Sequence, residues 1–136
     1  MRILSLAWVC LVWSCFFCFL FLVIDVRGLE IKRVNSVRDG ATIFVDLKNC
    51  ENDIFCKNIA IQLSGIDVPI NEKKENREKA VAARNYLSKI INKAVYLELK
   101  NCDRDVLFRL NCEIRANGLS VSEIMISTGH ARYYND

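Results

Sequence analysis

Asn58-Ile59-Ala60-Ile61-Gln62-Leu63-Ser64-Gly65-Ile66-Asp67-Val68-Pro69 alternates, breaks, and then stops. Ile59, Ile61 and Leu63 share one face of an extended chain, and Ala60 and Gln62 share the other, which predicts a strand over 58–63. Ser64-Gly65 ends it, and Pro69 fixes the backbone ahead of a helix. That helix is expected from about Glu72 to Ile91. Its apolar positions Ala80, Ala83, Leu87, Ile90 and Ile91 recur at helical spacing, and Lys73, Lys74, Glu75, Arg77, Glu78 and Lys79 form a solvated face.

Upstream, Leu29 to Val37 has mixed alternation and reads as a strand bulged near Lys32-Arg33. Arg38-Asp39-Gly40 is a turn, with Gly40 free to take positive φ. Thr42 to Asp46 alternates again, and Lys48 to Lys57 is a polar loop holding Cys50 and Cys56, where a clamp between the two can form. Downstream of the helix, Val95, Leu97 and Leu99 alternate with Tyr96, Glu98 and Lys100. A turn is expected around Asp103-Arg104-Asp105. The next strand carries Leu110, Cys112 and Ile114 on one face and Arg109, Asn111, Glu113 and Arg115 on the other. Asn117-Gly118 is a tight turn, Val121 to Thr128 a short helix stopped by Gly129, and Ala131-Arg132-Tyr133-Tyr134 a candidate last strand. The class is α+β. A meander capped by one long helix and closed by later strands suits a five-stranded OB-type β-barrel with one long and one short helix.

The chain before Leu29 is of another kind. Residues 3–24 are apolar except for Ser5 and Ser14. As an N-terminal hydrophobic helix they would reach about 33 Å, enough to cross a bilayer. Two readings of residues 1–28 stand: a signal peptide removed after Val26-Arg27-Gly28, or a retained membrane anchor. Both put one domain, residues 29–136, outside the cytosol, whether secreted, periplasmic or membrane-anchored. Arg2 and Arg27 flank the run on both sides and give no orientation.

The exported part carries 17 Lys and Arg against 15 Asp and Glu, net +2. That excludes a strongly basic nucleic-acid-coating protein but not a local basic groove. Four cysteines remain in it: Cys50, Cys56, Cys102 and Cys112. In an exported domain they point to disulfides, with three connectivities open. Their spacings fit no standard zinc pattern, and His130 is the sole histidine.

With the elements in this order, the chain resembles the staphylococcal nuclease (thermonuclease) family over about Glu30 to Tyr134. The family pattern is a strand, Asp-Gly-Asp-Thr, then Arg-x-x-x-x-Asp-Thr-Pro-Glu, a helix, a hairpin with a second Arg, Asp-Gly, and Gly-Leu-Ala. Here those segments read Asp39-Gly40-Ala41-Thr42, Gln62 through Asp67-Val68-Pro69-Ile70, Leu107-Phe108-Arg109, Asn117-Gly118 and Gly129-His130-Ala131.

The resemblance implies a nucleic-acid phosphodiesterase. In such enzymes calcium is held by two aspartates and a backbone carbonyl, two arginines stabilise the transition state, and a glutamate handles the attacking water. Carried over by position, the metal set is Asp67 and the carbonyl of Val68, with Ala41 in place of the other carboxylate. Gln62 stands for the first arginine, Ile70 for the glutamate, and Arg109 for the second arginine. The implied domain is thermonuclease-like and inactive or very weak. Its calcium binding is weak or absent, and it retains affinity for single-stranded DNA or RNA through Gln62, Arg109 and Tyr133.

Two alternatives stand beside it. One is an active metal-dependent nuclease with a rearranged site, using Asp67, Arg109 and Glu72 as base, with Asp39 or Asp46 as second carboxylate. The other is an envelope protein-interaction module, suggested by the near-neutral charge. Each candidate also has a plain structural role: turn chemistry for Asp39, a solvated strand end for Asp46, pairing with Glu113 or Asp67 for Arg109, a wall or surface position for His130, and packing of the barrel end for Tyr133 and Tyr134.

Overall fold

The computed structural model describes residues 29–49, 52–70, 74–105 and 107–134. The N-terminal apolar run, Cys50 and Glu72 lie outside the described residues. No helix among the described residues is long and apolar enough to cross a membrane.

Strands β1 (Ile31–Val37), β2 (Thr42–Leu47) and β3 (Ile59–Leu63) form an antiparallel meander. The register of β1 slips between Ile31 and Arg33 and again between Val34 and Ser36, so the expected bulge is present and is followed by a second. Bulges bend a strand and increase its twist. The β2–β3 ladder is regular, and Ile43, Val45, Ile61 and Leu63 are enclosed on its inner face. Gly65, at φ +74, turns the chain into the short strand β4 (Ile66–Asp67).

Helix α1 spans Arg77–Lys93 after a 3-10 turn at Lys74–Asn76, so it begins later than its charged face suggested. Its buried stripe is Ala80, Ala83, Leu87 and Ile91, with Ile90 partly buried at the margin.

Strand β5 (Leu97–Arg104) runs through the expected turn at Asp103. The reason lies at Asn101, which takes φ +50 and inserts a bulge between Lys100↔Glu113 and Asp103↔Asn111. Asparagine tolerates this left-handed backbone better than most residues. The bulge restarts the ladder, and the real turn follows at residues 105–109. Beside the bulge, Cys102 and Cys112 form a disulfide with Cα atoms 4.2 Å apart. Cys56 is disulfide-bonded as well.

Strand β6 (Leu110–Ala116) returns, and Asn117 and Gly118, at φ +52 and +82, turn it into β7 (Leu119–Ser120). Positive φ at both central residues is the hairpin turn that Asn-Gly favours. Helix α2 (Val121–Ser127) follows, its first turn capped by the Ser120 hydroxyl. Strand β8 (Arg132–Tyr133) ends the described chain by pairing antiparallel with β4.

The main sheet runs β1-β2-β3-β6-β5, with β7 attached to β6. Among the described residues only the β3–β6 pair is parallel, and α1 with β5 supplies the long connection it needs. The inner faces of the sheet and of α1 and α2 share one core, centred on Ile43, Ile61, Leu63, Leu87, Ile114 and Met125. The expected five-stranded barrel is not hydrogen-bonded shut. Among the described residues no ladder joins β1 to β5, and a groove of about 860 Å³ lies between residues 29–34 and 94–101.

Candidate functional site

Two of the segments that carry the nuclease resemblance, those of Gly40 and Val68, meet beside α1. Asp39 accepts a hydrogen bond from Ala41 N at 2.8 Å and so shapes the β1–β2 turn. A Cβ added at Gly40 would lie 2.8 Å from Ala83 Cβ and 3.4 Å from Val68 Cβ. Gly40 is therefore needed for close approach to α1, not for the positive φ that the sequence suggested. Ala41 is buried, belongs to the apolar core, and gives its carbonyl to Leu63 N at 2.8 Å.

Asp67, the carboxylate that the resemblance would put at a metal position, has a partner. Arg132 donates to its Oδ2 from Nε at 2.8 Å and from Nη2 at 2.6 Å. The pair faces across the β4–β8 ladder, where Asp67 is in register with Arg132. Val68 is partly buried against the core, and Ile70 presents an exposed apolar side chain where the resemblance would want a glutamate.

Gln62 sits on β3 in register with Thr42 and Asn111. Its neighbours across both ladders are uncharged. Arg109 precedes β6 and stands two residues before Asn111, about 7 Å along the strand from the position beside Gln62. It pairs with neither Glu113 nor Asp67. Its Nε and Nη2 donate to Asp105 Oδ2 at 2.8 and 2.7 Å, and its backbone N–H donates to Asp105 Oδ1. Burial alone would raise the Asp105 pKa. The hydrogen bonds from Arg109 and Leu107 and the guanidinium charge outweigh it and hold the carboxyl below its ordinary value.

The other candidates have structural partners. Asp46 is buried, not solvated as a strand end. It accepts from Asn35 Nδ2 at 2.8 Å, Asn58 N at 2.9 Å and Arg33 Nη2 at 2.7 Å. His130 stacks on Tyr86, with ring centroids 4.2 Å apart, and its Nδ1 lies 3.0 Å from Thr128 Oγ1. Tyr133 is exposed on β8, its hydroxyl donating to Glu123 Oε2 at 3.0 Å, and the Glu123 carboxylate raises the phenol pKa. Tyr134 donates its N–H to Gly65 O. Glu72, expected as a substitute base in the rearranged-site reading, lies outside the described residues.

Sequence reasoning missed Arg132, Glu123 and Asp105. Asp105 carried a faint signal, since an acid four residues before Arg109 at a turn can cap it. Arg132 carried none, because its partner is 65 residues away.

Among the described residues no three His, Cys, Asp or Glu side chains gather around a point that could hold a metal ion. The site can offer uncharged hydrogen-bonding groups on β3 and β6 and two internally paired ion pairs. The chain matches no protein-family model and no curated protein.

Proposed function

We propose that residues 29–136 are a staphylococcal-nuclease-like domain of OB type, held outside the cytosol, that binds without hydrolysing. The strand order with its parallel β3–β6 pair supports the OB assignment, as does a long helix between β4 and β5. The meeting of Gly40 with Val68 supports the alignment of the two motif segments. The observation that carries the loss of activity is the Arg132 guanidinium seated on Asp67. A divalent ion there would have to displace a cation from a single carboxylate, with Ala41 offering no second one. Affinity of such sites depends strongly on the number of negative ligands. The ligand this reading favours is single-stranded DNA or RNA, with Gln62 and Asn111 as hydrogen-bonding groups and exposed Tyr133 as a stacking surface.

Incubation of the purified chain with single-stranded DNA and RNA in millimolar calcium tests it. The expected result is no cleavage, unchanged in Asp67→Ala, and binding that strengthens as salt falls. Robust cleavage abolished by Asp67→Ala would overturn the proposal, and absence of binding at low salt would favour a protein partner instead. The alignment has its own test. Ala41→Asp combined with Arg132→Ala restores two carboxylates and frees both, so calcium should raise stability by about 1.4 kcal/mol when it exceeds Kd about tenfold. No calcium-dependent shift would mean that Ala41 does not stand at a ligand position.

A further inference from the structure

Two loop tips at one end of the sheet are built to the same plan. Asn52 accepts from Ile54 N through its side chain and from Phe55 N through its carbonyl. Asp105 accepts from Leu107 N through its side chain and from Phe108 N through its carbonyl. Each tip therefore reads Asx-x-aliphatic-Phe, folded by its own polar residue. The apolar pair points outward: Ile54 is 78% exposed, Phe55 66%, Leu107 66% and Phe108 79%. Phe108 even takes φ +60, a backbone that bulky residues rarely adopt. Single exposed apolar residues need no explanation, but four together at adjacent tips do.

The tips are adjacent because of the sheet. β3 and β6 are parallel neighbours, Ile61 in register with Leu110, and each tip leads into one of these strands. The chain enters at the same end. Lys48 N donates to Glu30 O, and Leu47 N to Cys56 O, which ties the start of β1 to the first tip. Only residues 25–30 separate that point from the apolar run 3–24, and six extended residues span at most about 20 Å.

We propose that this end of the domain is a membrane-docking surface, with Ile54, Phe55, Leu107 and Phe108 seated in the interface of the bilayer that holds residues 3–24. The proposal rests on the anchored form of the function given above. A short tether and four outward apolar side chains at the same end of the fold select a lipid surface as the occupant. Apolar side chains of this kind bind at the boundary between headgroups and acyl chains.

The test uses the full chain with Trp8 and Trp13 replaced by Phe, which removes both native tryptophans. A single probe is then introduced by Phe55→Trp, by Phe108→Trp, or by Ile70→Trp, the last at an exposed position beyond the opposite end of β3. Each protein is reconstituted in phosphatidylcholine vesicles with plain or brominated acyl chains, and flotation confirms association. The expected result is loss of most emission in brominated vesicles for the Phe55→Trp and Phe108→Trp proteins, and none for Ile70→Trp. Vesicle-bound protein whose tip probes keep their emission would overturn the docking surface and leave those side chains to a protein partner. Quenching of all three probes would also overturn it, since no end of the domain would then be preferred. A chain that fails to float with vesicles would remove the anchored reading itself.

Discussion

Asp67 and Arg109 are the two charged groups that the nuclease resemblance retains, and each meets an opposite charge within the chain. The Asp67–Arg132 pair is exposed, so it contributes about 0–1 kcal/mol to stability. Its consequence is electrostatic: the carboxylate offers little net negative charge to a cation. Asp46 shows the other use of a carboxylate. Hydrogen bonds from Asn35 and Asn58 lead, burial opposes them, and Arg33 adds to them, lowering its pKa from 3.8 to about 2. A folded-state pKa below the unfolded value stabilises above the unfolded pKa, and that contribution disappears as pH falls through the folded one. Asp46 should therefore lose its stabilising effect between roughly pH 4 and pH 2. Asp105, lowered in the same direction, adds to the acid limb. Urea midpoints measured across this window should fall less steeply for Asp46→Asn than for the parent chain, from a lower plateau at neutral pH. Equal slopes would show that Asp46 is not held by these donors.

Gly40 sets the seating of α1 on the β1–β2 turn, since a methyl group there would meet Ala83 Cβ at 2.8 Å. Gly40→Ala should destabilise the domain by about 1–3 kcal/mol through overpacking. Ala83→Gly alone costs about 1 kcal/mol as a glycine in a helix interior, yet should relieve part of the clash when combined with Gly40→Ala. A denaturant series on the double-mutant cycle reads this coupling, and strict additivity would place the clash elsewhere. The sequence marked Gly40 as special but suggested the wrong reason, because turn chemistry is local and helix contact is not. Elements with clean periodicity were legible: the Ile59–Ile61–Leu63 alternation and the Ala80–Ala83–Leu87–Ile91 stripe both lie on the core. The extent of β5 was not legible, because the bulge at Asn101 resets an alternation that a pattern search follows without a break. The partners of Asp67 and Arg109 were missed too, the first with no local signal and the second with only a faint one. One depends on β8 docking against β4, and the other on a turn that formed two residues later than the charge cluster suggested.

At the scale of the whole molecule, the sequence pointed to a five-stranded OB-type barrel, and among the described residues no ladder closes the main sheet along one seam. The order β1-β2-β3-β6-β5 brings the outer strands round to face each other, and both strands that border the seam are bulged, β1 twice in its ladder with β2 and β5 once in its ladder with β6. Bulges disrupt the local ladder and turn strand edges away from further pairing. Leu29, Ile31, Leu97 and Leu99 are left lining a groove in place of a ladder. The two architectures differ in what they do to backbone amides. In an open sheet, amides on the seam side of β1 and β5 have no strand partner among the described residues, whereas β3 and β6 have a neighbouring strand on both sides. Native-state hydrogen exchange should therefore find the slowest amides in β3 and β6, with seam-side amides of residues 31–34 and 97–101 exchanging early through local opening. Protection of those edge amides at the level of β3 would require hydrogen bonds bridging the groove, and the domain in solution would then be the closed barrel.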